Sequence, residues 1–159
     1  MGTELCFVMP AMENLIGSNL TSVIGSLNAG LKASPTNYLQ TFGSAMSAAA
    51  IESNITAAEK YLINVWKKNT HCQTFDEQRY WSYHHSNTMN VNELPPTSAS
   101  MRLHILRAMY ITYIQTHFMD QHENLDPNLF GYTQGDDNCT PQKIHTIIPP
   151  VDDLPPNCT

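Results

Sequence analysis

The chain has 159 residues, which is enough for one domain with a single modest core. Charged residues make up only 14% of it, well below the usual share in soluble domains, and the formal net charge is -6. Because a surface of this charge repels phosphate as a whole, we expect no nonspecific binding to nucleic acid.

The N-terminus does not have the pattern of a signal peptide. It carries Glu4, no Lys or Arg, and only a brief apolar run before Pro10. No window approaches the run of about 18 apolar residues that a transmembrane helix needs. We therefore expect an intracellular protein, cytoplasmic or nuclear, that is not secreted and makes no membrane contact. Its four cysteines form no C-x-x-C pair and are expected as free thiols: Cys6, Cys72, Cys139 and Cys158.

The first predicted element lies between Met12 and Leu31. Apolar residues recur there at intervals of three and four, which is helical spacing. Three glycines weaken the pattern: Gly17, Gly25 and Gly30. One broken helix and two short helices are therefore both compatible with this stretch.

Two helix-start signals follow. Ser34–Pro35 combines an N-cap residue with a proline at the first helical position, which predicts a short helix through Phe42, ended by Gly43. Thr56–Glu59 has the capping-box form, in which the Thr hydroxyl and the Glu carboxylate each accept from a backbone N–H. We expect a helix to begin there with four apolar residues on one face: Ala58, Leu62, Val65 and Trp66.

A second capping box, Thr74–Glu77, predicts a helix whose acidic first turn suits the helix dipole. This helix also carries His84, and an aromatic cluster beside Arg79 formed by Tyr80, Trp81 and Tyr83. Such rings can stack on nucleic-acid bases, but they more often form the core face of a helix. Since the chain has only two tryptophans to build a core, we expect the core role here.

The longest predicted helix follows Leu94–Thr97. Pro96 keeps the residue before it extended, and Thr97 or Ser98 then caps a helix that runs to about His122. One apolar stripe contains Leu103, Leu106, Tyr110, Tyr113 and His117. A second stripe beside it contains Met101, Ile105, Met109 and Ile114. A helix that is apolar over most of its girth is predicted to be the central element, packed on two sides.

The character of the chain changes after Asp126, where prolines become frequent and helical periodicity is lost. We predict a loop at Gly131–Thr140, a short strand at Lys143–Ile148 and an extended tail at Pro149–Thr159. The fold class expected is mainly α: a small irregular helical domain with a Pro-rich extended C-terminal tail.

No candidate catalytic, cofactor-binding or metal-binding residue can be assigned from the sequence. The adjacent pair His84–His85 points in different directions on a helix, His117 and His122 are five residues apart, and His71–Cys72 has no second ligand pair at zinc spacing. No Cys–His arrangement suggests a nucleophile, and no glycine-rich phosphate loop or nucleophile elbow occurs. The acidic pairs Asp136–Asp137 and Asp152–Asp153 are interpreted as solvated charge.

Several stretches match one family pattern. Leu94–Thr97 with His104–Ala108 matches L-P-P-T-x-x-x-L-x-x-H-x-x-R-A to within a residue of spacing. Pro10–Ser22 is a weaker match to P-A-(apolar)-H-A-(apolar)-x-G-C-D-x-T-S. Further matches keep the family order: Glu59–Tyr61, Val65–Trp66, Asp126–Pro127, Gly131–Tyr132, Pro141 and Cys158. From about residue 9 to residue 159 the chain resembles proteins linked to mobile elements of invertebrates, in which a flap-endonuclease-like (PIN-type) segment precedes a helical module and a cysteine-rich cluster.

The departures from this pattern concern catalysis. In the family motif, the Asp of G-C-D would help to hold a divalent metal for phosphodiester hydrolysis. Asn19 stands in its place, an amide oxygen is a poorer ligand than a carboxylate, and Glu13 replaces a family histidine. The other metal carboxylates would precede Met1, and the cysteine cluster would begin near Cys158.

The resemblance therefore implies a truncated, degenerate member without cofactor or metal. Residues 1–52 would be a remnant of the nuclease motif, residues 53–125 the helical module, and residues 126–159 the Pro-rich loop and tail. We expect a non-enzymatic intracellular interaction module derived from a transposon-associated protein, with an unknown protein partner or self-association. The alternatives are a residual metal-dependent nuclease or structure-directed DNA-binding protein, and a translated remnant without function.

Overall fold

The computed structural model describes residues 3–17, 24, 27–66, 71–85, 94–119, 125–134 and 141–143. This part of the chain contains five α-helices and two short strands: α1 (Thr3–Ile16), α2 (Leu27–Lys32), α3 (Ala48–Trp66), α4 (Phe75–His85), α5 (Ser98–Thr116), β1 (Tyr132–Gln134) and β2 (Pro141–Lys143). Single 3-10 turns occur at Pro35–Asn37 and Pro127–Phe130. The predicted mainly α class is confirmed, whereas the predicted tail at Pro149–Thr159 lies outside the described residues.

Helix α5 is the central element, as its apolar girth predicted. Helices α1 and α3 pack against it, and residues of all three form one hydrophobic core. The second predicted stripe supplies its most buried part, because Met101, Ile105 and Met109 are at most 1% exposed. The first stripe, from Leu103 to His117, is only half-buried. The division expected between residues 52 and 53 falls inside α3.

Helix α1 begins earlier than predicted. Apolar spacing predicted a helix from Met12, whereas α1 starts at Thr3 and carries Pro10 inside it. A proline within a helix costs about 3 kcal/mol, and α1 offsets this by burying a stripe of apolar side chains: Val8, Ala11, Met12, Leu15 and Ile16. Gly17, at φ 124°, follows the last turn, and part of the remaining stretch forms the separate helix α2. Of the two predicted alternatives, one broken helix or two helices, the structure shows two helices.

The helix predicted from Ser34 to Phe42 is wrong beyond its first turn. Ser34 is left-handed, at φ 55°, and its side chain makes no cap, so that only a 3-10 turn forms at Pro35–Asn37. Tertiary hydrogen bonds replace the helix further on. The side chain of Asn54 on α3 donates to the Thr41 carbonyl oxygen at 3.3 Å and accepts from the Thr41 hydroxyl at 3.1 Å.

Helix α3 begins about two turns before the capping box that was predicted to start it. Ser47 is the residue that caps α3, because its hydroxyl accepts from the Ala50 N–H at 3.3 Å. Thr56 lies within the helix and donates back to the Glu52 carbonyl oxygen at 3.1 Å. The predicted face is nevertheless correct for three of its four residues, all of them buried: Ala58, Leu62 and Val65.

The predicted starts of α4 and α5 are confirmed. The Thr74 hydroxyl accepts from the Glu77 N–H at 3.2 Å, and the Thr97 hydroxyl accepts from the Ser100 N–H at 3.2 Å. Helix α5 ends at Thr116, between one and two turns before the predicted end at His122, with His117 as its C-cap.

Residues 127–132 pack back onto α5. Phe130 lies 5.4 Å from the ring of Tyr110, and Tyr132 lies 5.8 Å from it. The loop predicted at Gly131–Thr140 is wrong for β1, which pairs antiparallel with β2 through backbone hydrogen bonds that the sequence does not signal. The predicted strand at Lys143–Ile148 shares only Lys143 with β2, and residues 144–148 lie outside the described part.

Among the described helices, none combines the length and the apolar character that are needed to cross a membrane.

Gly43 closes the turn against α5 and is a position where we expect alanine to destabilise the fold. It has a φ of +74°, and an added Cβ would lie 2.9 Å from Thr112 Cγ2 and 3.3 Å from the Tyr113 backbone nitrogen. Left-handed strain and overpacking together should lower the free energy of unfolding of Gly43→Ala by about 2–3 kcal/mol in urea titrations. The exposed neighbour variant Gln40→Ala should change it by less than about 0.5 kcal/mol. Equal effects of the two substitutions would contradict this packing.

Tyr61 gives the fold a sensitivity to alkali. Its side chain is fully buried, and its hydroxyl has no hydrogen-bond partner among the described residues. Burial raises the pKa of Tyr61 well above its usual value, so the phenol stays protonated in the folded chain. The unfolded chain alone releases this proton above pH of about 10, which should cost about 1.4 kcal/mol of stability at pH 11. Tyr61→Phe should lose less stability than wild type between pH 8 and pH 11, and parallel losses would contradict the assignment.

Candidate functional site

The outer face of α4 carries two exposed tyrosine rings. On a helix with 3.6 residues per turn, five side chains point away from the buried side formed by Phe75, Gln78 and Ser82. We call these five the α4 face: Asp76, Glu77, Tyr80, Tyr83 and His84. Tyr80 is 64% exposed and Tyr83 is 61% exposed, although tyrosine side chains of this size usually bury part of their ring.

The aromatic and imidazole rings of α4 pack against one another. The imidazole of His84 lies 4.3 Å from the ring of Tyr80 and meets Tyr83 edge-on at 5.6 Å. On the flank of the helix, His85 stacks on the half-buried Trp81 at 4.6 Å. Aromatic pairs at these separations are attractive, so that the exposed rings form a preordered surface.

The expectation that this aromatic cluster forms the core side of its helix is wrong for Tyr80 and Tyr83. The buried side of α4 consists instead of Phe75 and two polar residues, Gln78 and Ser82, which carry no apolar signal in the sequence. Arg79 does not point at the rings for base stacking, because its Nη1 donates to the Pro95 carbonyl oxygen at 2.7 Å.

A polar junction around Glu59 sets the position of α4. Glu59 projects from α3, and its Oε1 accepts from the Phe75 N–H at 3.1 Å and from the Ser98 hydroxyl at 3.0 Å. Phe75 and Ser98 are the first residues of α4 and α5. One carboxylate therefore meets the N-termini of two helices, where the helix dipoles favour negative charge.

Asp76 and Ser98 complete the junction with a reciprocal pair. Asp76 Oδ1 accepts from the Ser98 N–H at 3.0 Å, and the Ser98 hydroxyl accepts from the Asp76 N–H at 3.2 Å. Each side chain thus satisfies a backbone donor of the other helix that has no partner within its own helix. The first turns of α4 and α5 are consequently fixed to each other.

Two residues of the family pattern, His104 and Arg107, contact backbone carbonyl oxygens of other parts of the fold. The Nε2 of His104, which is buried, lies 2.7 Å from the Leu15 carbonyl oxygen, and since a carbonyl only accepts, Nε2 carries the proton. Arg107 is 5% exposed and donates from Nη1 to the Gly131 carbonyl oxygen at 3.2 Å. Burial lowers the pKa of Arg107, whereas neighbouring Tyr132 raises it.

The N-terminal part of that pattern lies on α1. Glu13 is exposed, and the buried Asn14 donates to the Thr112 hydroxyl at 3.1 Å and to Gln115 Oε1 at 2.8 Å. These bonds join α1 to α5. Asn19, which stands for the missing nuclease carboxylate, lies outside the described residues.

The described ranges contain no group of three or more His, Cys, Asp or Glu side chains that could hold a metal ion. Two cysteines fall within these ranges, and both are free thiols: Cys6, which is exposed, and Cys72, which is half-buried. Partial burial, and secondly the charge of Glu77, raises the pKa of the Cys72 thiol. Cys72 is therefore less nucleophilic at neutral pH than an ordinary cysteine.

A scan against models of protein families found no match to this chain, and searches of curated proteins and of solved structures found none either.

Glu59 should contribute measurably to stability through the junction. In Glu59→Ala the Phe75 N–H and the Ser98 hydroxyl lose a charged acceptor, which should cost about 2–3 kcal/mol in urea unfolding. Glu59→Gln keeps an acceptor oxygen without the charge and should cost about half as much. The exposed residue of the same type on α1 provides the control, and Glu13→Ala should have little effect. A loss in Glu59→Ala no larger than in Glu13→Ala would overturn the role of the junction.

Proposed function

We propose that this protein is a non-enzymatic intracellular interaction module that binds its partner through the α4 face. The observation that carries the proposal is the exposure of Tyr80 and Tyr83 on the side of α4 opposite its buried residues Phe75, Gln78 and Ser82. Tyrosine is enriched at protein interfaces, because its rigid ring supplies apolar area and its hydroxyl supplies a hydrogen bond.

The attachment of α4 supports the same proposal. The helix is held at its N-terminal end by the Glu59 junction and along its flank by the bond from Arg79 to Pro95. None of the five residues of the α4 face contributes a buried side chain to the core. The face can therefore be covered by a partner without rearrangement of the fold.

Descent from a transposon-associated protein is part of this proposal and rests on the L-P-P-T and H-x-x-R-A sequence pattern. Within the described residues, nothing favours the alternative of a residual nuclease or DNA-binding protein. Arg79, the cation beside the rings, is already hydrogen-bonded to Pro95.

A photo-crosslinking amino acid can test whether the α4 face meets a partner. We expect p-benzoylphenylalanine at position 83 to give discrete adducts upon irradiation in an extract of the cells that produce the chain. The same group at position 7 is the matched control, because Phe7 on α1 is also an exposed aromatic residue, at 78%. Adding Tyr80→Ser and His84→Ser should remove the adducts and change the free energy of unfolding by less than about 0.5 kcal/mol. Position 83 would be excluded as a binding surface if it gave no adduct beyond those at position 7.

A further inference from the structure

We infer that the partner of the α4 face is a second copy of this chain, bound with its own α4 antiparallel to the first. This inference rests on the proposed function and names its partner. The polar groups of α4 are divided between its ends: the carboxylates of Asp76 and Glu77 lie in the first turn, and the imidazoles of His84 and His85 lie in the last. A helix with acid at one end and imidazole at the other is complementary to itself only when the two copies run in opposite directions.

The spacing of the α4 face fits a two-fold axis at Tyr80. This residue is the midpoint of the helix Phe75–His85, so that in an antiparallel pair the two Tyr80 rings meet at the axis. Residues equally distant from Tyr80 then lie opposite each other. His84 lies opposite Asp76 of the second copy and one residue from its Glu77, while Tyr83 lies opposite that same Glu77.

Each of these opposed groups can bind the other. A carboxylate accepts hydrogen bonds, and both an imidazole N–H and a phenol O–H can donate one. Glu77 uses Oε2 to accept from the Gln73 N–H at 2.7 Å, and Asp76 uses Oδ1 to accept from the Ser98 N–H at 3.0 Å. Both side chains are exposed, so the second oxygen of each carboxylate can accept from the other copy. A parallel pair would instead bring the two acidic turns together, and like charges placed side by side oppose association.

The area of the face sets the strength of the pairing. Two helices of this length, each about 16 Å long, bury roughly 800 Å² in total when they pack along one face. Stable dimers usually bury more than about 1,200 Å². We therefore expect a concentration-dependent dimer with a dissociation constant on the order of 100 micromolar.

A charge exchange tests the antiparallel arrangement directly. In sedimentation velocity of the purified chain from about 10 micromolar to 1 millimolar, wild type should pass from monomer to dimer. His84→Glu places a carboxylate opposite Asp76 of the second copy, and Glu77→Lys removes the acceptor that Tyr83 and the nearby His84 of the second copy would contact, so each alone should raise the dissociation constant at least tenfold. In an equimolar mixture, the carboxylate introduced at position 84 of one variant lies one residue from the ammonium introduced at position 77 of the other, close enough for an ion pair between two long side chains. We expect this mixture to form a heterodimer within about threefold of the wild-type affinity.

Two variants away from the axis serve as controls. Glu13→Lys makes the same charge change on the exposed surface of α1, and Phe7→Ser removes an exposed ring there; neither should alter dimer formation. Because Glu77→Lys also removes the acceptor of the Gln73 N–H, circular dichroism should first show wild-type helicity. Tyr80→Glu is the second variant, which sets two like charges directly across the axis and should abolish the dimer.

The inference is overturned if folded wild type stays monomeric at 1 millimolar, if the single variants dimerise as wild type does, or if their mixture gains nothing. A monomer whose position 83 still crosslinks to another protein would overturn the self-pairing and leave the proposed interaction module standing. A dimer unaffected by changes at positions 77, 80 and 84, together with no adduct at position 83, would overturn both.

Discussion

The Glu59 carboxylate joins three helices of this protein, and the orientation of α4 depends on it. Helix α4 buries little apolar surface of its own, since Phe75 is its only fully buried large apolar residue. A helix of eleven residues is marginal without tertiary support. That support comes from the bonds of Glu59 to Phe75 and Ser98, which place the first turns of α4 and α5 against α3.

This attachment explains why Tyr80 and Tyr83 face outward. Once the N-terminus of α4 is fixed by polar bonds, Phe75, Gln78 and Ser82 are the residues that turn inward. Tyr80 and His84, on the opposite side, can only face solvent or another molecule. Burial of their rings would add to the stability of an isolated fold. Their position instead suits the partner that we propose, at a small cost in solubility for the monomer.

The sequence predicts the elements whose signals are local and apolar. The caps at Thr74 and Thr97 placed the starts of α4 and α5, and the girth of α5 identified it as the central helix. The sequence-based predictions are wrong where long-range contacts compete with local ones. Ser34 makes no helix cap, because Leu39 and Phe42 are buried in turns that hydrogen bonds from Asn54 stabilise. Thr56 lies inside a helix that Ser47 caps two turns earlier.

The candidate site was less accessible to sequence reasoning for a physical reason. The α4 face is defined by which side of α4 is attached, and that side is chosen by Glu59 and Ser98, 16 and 23 residues away from Phe75 in the chain. No periodicity within α4 records those partners, because Gln78 and Ser82 are polar although they are buried. The sequence alone therefore favours the core for these aromatic residues, because side chains of their size usually lie there.

Amide hydrogen exchange on Glu59→Ala, at a concentration low enough to keep the chain monomeric, tests most directly whether the junction holds α4. If it does, the amides from Gln78 to His85 should exchange at least tenfold faster than in wild type, while the interior amides of α1 and α5 keep their rates within about threefold. Unchanged protection of α4, or an equal acceleration in all the helices, would contradict the dependence of the α4 face on Glu59.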